Sequence, residues 1–290
     1  MERNLERARI HFGGDTRGLL EGGRYALLHT RSLELDDLRP YVPGDDVRDI
    51  DWRATAREGD VLVKRFVTEK HHKILLVADA GRNMAALTPT GERKSDVAAL
   101  VIGVVGLVAM DRSDEVALVY GDRTGSGRTP ARRGETHLGG LVDRYRGVAA
   151  ASREPSDIAV QLDYVAAGFK RRMVLVVISD EPEPGSELGA RLRGLAGRHD
   201  VLWAMVEDQP AIGSADDELD GFDVGTGRLV LGGPFVGPRV VAAYRRAEAE
   251  RRARLDAFLT ECGVRGVRIA GAADLRRGMV SLLGDFAHAR

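Results

Sequence analysis

The rhythm of apolar and polar positions changes near residue 73. From Lys73 onward, short and nearly continuous apolar runs alternate with longer stretches of helical spacing. The runs are Lys73 to Asp79, Glu115 to Tyr120, Met173 to Ser179 and Val201 to Val206. A strand that is apolar at every position, rather than at alternate ones, is covered on both faces. Such strands alternating with helices predict βαβ units around a parallel sheet. Helices are predicted from near Glu92 to Met110, after the Thr88-Pro89-Thr90-Gly91 break, and from Ser156 to Phe169, where Ser156-Asp157 supplies a cap. Further helices are expected over Ser186 to Arg198, Arg239 to Cys262 and Leu275 to Ala289. In the helix from Arg239, Arg and Glu recur at helical spacing and are expected to solvate one face. Residues 121–133 read as a loop with an edge strand, and 222–231 as a hairpin around Gly225-Thr226-Gly227. Before residue 73 the pattern is different. The alternating run Val61 to Val67 and the turn residues Pro43-Gly44-Asp45-Asp46 predict a β-hairpin. The chain therefore divides into a β-rich region, 1–72, and an α/β domain, 73–290.

Composition narrows the class. Apolar residues make up 43% of the 290 positions and charged residues 30%, enough for a sizeable core in a soluble globular protein. The net charge of −1 gives no reason to expect nucleic-acid or anionic-membrane binding. The single cysteine, Cys262, cannot form an intrachain disulfide and fits a reducing compartment as an inert thiol near a helix end. Val97 to Met110 is the longest apolar run, flanked by Asp96 and Asp111. It is shorter than the roughly 20 residues that a membrane span needs, so it reads as a buried central helix. No secretory leader pattern opens the chain, and a cytoplasmic protein without membrane insertion is expected.

One stretch is more specific than packing requires. Residues 39–52 read Arg39-Pro40-Tyr41-Val42-Pro43-Gly44-Asp45-Asp46-Val47-Arg48-Asp49-Ile50-Asp51-Trp52, followed by Thr55-Ala56-Arg57 and Glu69. This segment resembles the signature of the domain-of-unknown-function family 58, and Ile178-Ser179-Asp180 and Leu195 to Val201 are similar to later parts of it. The resemblance covers about residues 20–270. It implies a Rossmann-like von Willebrand factor A domain, with a mostly parallel sheet and helices on both faces, preceded by the smaller signature region. It also implies a partner, a MoxR-type AAA+ ATPase proposed to act as a chaperone-like machine. Many members of the family carry N-terminal membrane helices; this sequence resembles the short soluble form.

The same resemblance points to a metal-ion-dependent adhesion site. There a hard cation takes oxygen ligands in an octahedron and keeps a position open for a partner's carboxylate. The loop after the first strand supplies Asp-x-Ser-x-Ser, and two further loops supply a threonine and an aspartate. Here the first element is Asp79-Ala80-Gly81-Arg82-Asn83, which keeps the aspartate and loses both serines. Ser156 is placed where the threonine belongs and Asp180 where the last aspartate belongs. Asp79, Asn83, Ser156 and Asp180 are thus the candidate ligands of a degenerate, weak Mg²⁺ or Mn²⁺ site, unless Asp79 and Asp180 merely cap strand ends. Arg82 adds a cation beside it.

Arg48, Asp51, Trp52 and Arg57 join Arg82 as candidate partner-binding residues. The charges at 45–57 read either as a docking surface or as a solvated turn network. Trp52 reads either as an anchor packed against the A domain or as an exposed partner contact. The leading functional expectation is a non-enzymatic binding or adaptor protein. The alternative is a metal-dependent hydrolase using Asp79 and Asp180. Other chemistry finds little support. There is no GxxxxGK[ST] and no GxSxG, Gly125-Ser126-Gly127 lacks a dinucleotide-binding context, and His71-His72 has no ligand set at zinc spacing. Ser179 has no base assigned to it, and His137 and His199 stand alone.

Overall fold

The computed structural model describes residues 34–42, 45, 47, 50–67, 73–212, 221–224, 226–230 and 233–284. They form two compact units, one within Tyr25–His72 and one from Lys73 onward. Pro43, Gly44, Asp46 and Arg48, the pair His71-His72, Gly225 and the end of the last predicted helix lie outside the described residues.

In the smaller unit, β1 (Glu34–Pro40) pairs antiparallel with β2 (Leu62–Val67). The strands are not joined by a tight turn, as the hairpin pattern predicts. Helix α1 (Trp52–Glu58) lies in the connection. Local chemistry explains it. The Asp51 carboxylate accepts hydrogen bonds from the Arg53 and Ala54 amides at 3.0 and 3.1 Å, and Gly59 ends the helix at φ +83°. Just before the helix, Ile50 bridges Val63 and the Asp51 amide donates to Leu62 O. The free edge of β2 is thereby used, and Ile50, Ala54, Leu62 and Val63 are buried.

The larger unit holds six strands in the order β10-β7-β6-β3-β4-β5. They are β3 (Lys73–Asp79), β4 (Glu115–Asp122), β5 (Gly125–Arg132), β6 (Val174–Ser179), β7 (Asp200–Val206) and β10 (Arg265–Ile269). All pairs are parallel except β4–β5. The predicted runs are the four inner strands. The Gly- and Arg-rich stretch after Gly121 is the antiparallel edge strand β5. The opposite edge, β10, is half-polar and is not marked by its pattern. A two-residue pair, β8 (Gly221–Phe222) with β9 (Leu229–Val230), stands at the predicted hairpin.

Helices cover both faces. They are α2 (Lys94–Asp111), α3 (Glu135–Ala151), α4 (Ile158–Gly168), α5 (Ser186–Ala196), α6 (Gly233–Glu261) and α7 (Leu275–Gly284). Leu162, Val165, Leu192, Leu195, Leu255 and Leu259 of α4, α5 and α6 pack over Leu75, Val77, Val177, Trp203 and Met205 on one face. Residues of the other parity, such as Leu76, Ala78, Leu118, Val176 and Ala204, are equally buried. Helix α2 is apolar on every side and buried along almost its whole length, as predicted for a central helix. Cys262 is buried just past α6, as an inert thiol should be.

The charges of α6 do not simply solvate a face. Arg251 pairs with Glu248 at 2.7 Å and with Glu181; Arg252 pairs with Glu207 at 3.3 Å; Arg268 of β10 pairs with Glu181 and with Asp256 at 2.7 Å. Glu181 follows β6 and Glu207 follows β7, and both are largely buried, so the arginines tie α6 to the carboxyl ends of two strands. Bidentate and charge-assisted bonds of this kind fix geometry better than exposed pairs do.

Asp51→Ala removes the cap of α1 and should cost about 1 kcal/mol. Faster amide hydrogen exchange across Trp52–Glu58, with the larger unit unaffected, is the expected reading.

Candidate functional site

In a doubly wound sheet of this order, ligands gather where neighbouring crossovers leave in opposite directions, at the carboxyl ends of the strands. That point lies between β3 and β6, and Asp79 and Asp180 stand there. Strand β3 is buried from Ile74 through Asp79, so the polar groups at its end must be satisfied inside the protein. Asp79 Oδ1 accepts the Gly81 amide at 2.8 Å. Asp79 O accepts the Tyr145 hydroxyl at 2.8 Å, and the Ala80 amide donates to Gly121 O at 2.7 Å. Asp79 Oδ2 and Ser156 Oγ are buried without a hydrogen-bond partner among the described residues. Ser156 lies close enough to favour the charged carboxylate, though the two do not reach bonding geometry. Burial, and next the Asp180 charge, outweigh Ser156, the Gly81 amide and Lys94, and push the Asp79 carboxyl up to about 7. Burial also keeps the Tyr145 phenol neutral.

Gly81 is where two loops touch. A Cβ on it would stand 2.6 Å from both Ser156 Cα and Ser156 N. The loop before α4, capped by the Asp157 carboxylate on the Ala159 amide at 3.1 Å, closes over this glycine. The Arg82 amide donates to Glu154 O at 2.7 Å and holds the same contact from the next residue.

The second half of the site is a buried cation. The Lys94 side chain is 0% exposed. Its Nζ lies 2.6 Å from Asp208 Oδ1 and 3.6 Å from Asp180 Oδ2. Asn83 Nδ2 donates to the same Asp180 Oδ2 at 3.3 Å. The Gln209 amide bonds Leu87 O and the Lys94 amide bonds Ala86 O, which fixes the loops carrying Asp208 and Lys94.

The structure thus brings Asp79, Arg82, Asn83, Ser156 and Asp180 to one place. As arranged, they do not fit a divalent cation. Position 81 has neither a hydroxyl nor room for one. Asn83 turns its N–H toward Asp180, and an ammonium sits beside the same carboxylate. Among the described residues, no group of three or more His, Cys, Asp or Glu side chains could hold a metal ion. Lys94, Asp208 and Tyr145 are the residues that sequence reasoning missed. One signal was available: a lysine opening an apolar helix opposes the helix dipole.

The signature unit carries the remaining candidates. Asp51 is consumed by the α1 cap. Arg57 is exposed, its Nε donating to Arg53 O at 3.4 Å. Trp52 is 64% exposed. Tyr41, Val42 and Val61 are exposed too. The Tyr41 amide donates to Val61 O, and Asp51 pairs with the next residue, Leu62. Tyr41, Val61 and Trp52 therefore stand at the same end of β2.

The sheet order, mostly parallel with helices on both faces, is that of a mixed α/β protein similar in fold to von Willebrand A domains. The chain belongs to the family described as Protein of unknown function DUF58, which matches residues 37–219. Uncharacterized proteins of Mycobacterium bovis and Mycobacterium tuberculosis are each 27% identical over 255 residues, covering 85% of this chain and 77% of theirs. Among solved structures, it is similar to an aerotolerance-related membrane protein of Bacteroides fragilis (9% identity, TM-score 0.45, 74% of this chain and 99% of that one). It is also similar to a von Willebrand factor type A protein of Catenulispora acidiphila (12% identity, TM-score 0.40, 76% of this chain and 44% of that one).

Two outcomes follow from this geometry. Gly81→Ser, which restores the adhesion-site residue, should lower stability by roughly 1–3 kcal/mol through overpacking against Ser156, read by thermal unfolding. The Asp79 carboxyl has a folded pKa of about 7, above its ordinary 3.8. Its contribution is therefore fully present in acid and is lost as pH rises through about 7. Asp79→Asn keeps an acceptor for the Gly81 amide and removes that loss. It should gain up to a few kcal/mol over the wild type near pH 8 and little near pH 4, measured by urea unfolding at both.

Proposed function

We propose that this chain is a non-enzymatic protein-binding adaptor that works with a MoxR-type AAA+ ATPase in chaperone-like assembly or maturation of other proteins. The observation that carries the reading is the exposed Trp52 in the signature unit, flanked by Tyr41, Val42, Val61 and the exposed Arg53 and Arg57. Solvent-facing tryptophan, tyrosine and arginine grouped together are what protein interfaces use as anchors. A packed core does not need them there. No helix among the described residues is long and apolar enough to cross a membrane, and an ATP-driven partner puts the complex in the cytoplasm. In this reading the carboxyl-end cluster of the larger unit, with Arg82 half-buried beside it, supports the fold of the adaptor and supplies no reaction chemistry.

The test is capture of a purified MoxR-type AAA+ ATPase. Trp52→Ala and Arg57→Glu should each weaken it about tenfold or more while circular dichroism and thermal unfolding stay unchanged. Undiminished capture by both variants would reject this surface. Hydrolysis of a phosphoester or peptide that vanishes in Asp79→Ala would replace the adaptor reading with an enzyme.

A further inference from the structure

We propose that the Lys94 ammonium is the resident cation of the switch-point site. It takes from within the chain the place that a divalent ion has in an adhesion site, so the site works without metal.

The placement is costly enough to need a reason. Lysines are almost never fully buried unless paired, and an isolated ammonium taken out of water is strongly unfavourable. Lys94 is also the first residue of α2, where the positive end of the helix dipole repels it. Both costs are met by two carboxylates. Asp180 follows β6 and Asp208 follows the neighbouring strand β7. Their side chains reach Nζ at 3.6 and 2.6 Å. Of the two, Asp180 is the carboxylate that the adhesion-site pattern gives to the metal.

The surroundings favour an N–H donor over a metal. Asp180 Oδ2 accepts a hydrogen bond from Asn83 Nδ2 at 3.3 Å, which occupies one of its lone pairs, and has the Lys94 ammonium 3.6 Å away as an ion-pair partner. A divalent ion needs that lone pair empty and does not tolerate an ammonium as neighbour. The serine that would complete its shell is replaced by Gly81, whose missing Cβ leaves space only for Ser156. The loss of the ligand and the gain of the ammonium are therefore two parts of one arrangement. The inference does not depend on which surface the adaptor presents to its partner.

The test uses the full-length protein and the metals themselves. Wild-type protein titrated calorimetrically with Mg²⁺ and Mn²⁺ should give no binding heat, and its Tm should not change with millimolar metal or EDTA. Lys94→Ala leaves two facing carboxylates without their cation and should lose roughly 10 °C in Tm. Mn²⁺, Mg²⁺ or propylammonium should return part of that loss, whereas sodium at matched ionic strength should not. Asp208 is half-exposed, so Asp208→Asn serves if Lys94→Ala fails to fold. It should lower Tm by removing the nearest partner of the ammonium. Stoichiometric Mn²⁺ binding by the wild type would overturn the proposal. So would a Lys94→Ala protein as stable as the wild type, or an unchanged Tm in Asp208→Asn.

Discussion

A strand buried on both faces gives no access to water, and this constraint organises the carboxyl end of the sheet. From Ile74 to Asp79 no side chain of β3 reaches solvent. Where the strand stops, each polar group must be met by another part of the chain. Tyr145 comes from α3 to the Asp79 carbonyl, the Gly81 amide turns back onto the carboxylate, and β4 supplies Gly121 for the Ala80 amide. The site is the set of residues recruited to finish β3. The same constraint leaves Asp79 Oδ2 alone and pushes its titration toward neutrality. Local destabilisation of this kind is tolerated because the surrounding core over-determines the geometry.

The ion pairs at the neighbouring strand ends follow the same logic in a milder form. Glu181 sits one residue after Asp180, and Glu207 one residue before Asp208. They turn to Arg251, Arg252 and Arg268 instead of Lys94. Two adjacent acids at each strand end thus face opposite ways, one toward α2 and one toward α6. The sheet's carboxyl end is clamped between these helices by charge.

Much of this was legible in the residues. Runs apolar at every position identified the four inner strands, and the break at Thr88 to Gly91 correctly separated the central helix from what precedes it. Elements that bury only part of themselves were harder. Strand β10 carries two arginines in five residues, because an edge strand needs only one covered face. Helix α3 is interrupted by Gly139, Gly140 and Gly147, which dilute its spacing, although Leu138, Leu141, Val142 and Tyr145 fall on one buried side. Helix α1 has only seven residues and is held by its cap, which a window-based reading of apolar spacing does not register. At the site, Asp79, Asn83, Ser156 and Asp180 could be aligned with a known pattern. Lys94 and Asp208 could not, since 114 residues separate them and only the folded sheet shows that they meet.

The crossing of Gly81 and Ser156 has a consequence for how such a chain can change. A metal centre at this place would require a hydroxyl at position 81, withdrawal of the Ser156 backbone and removal of the Lys94 charge. Taken singly, the first is blocked by the second, and the third strands two carboxylates. Each step is unfavourable until the others are in place, so the substitutions are strongly epistatic. What couples these changes is space: a Cβ at position 81 would stand 2.6 Å from the Ser156 backbone.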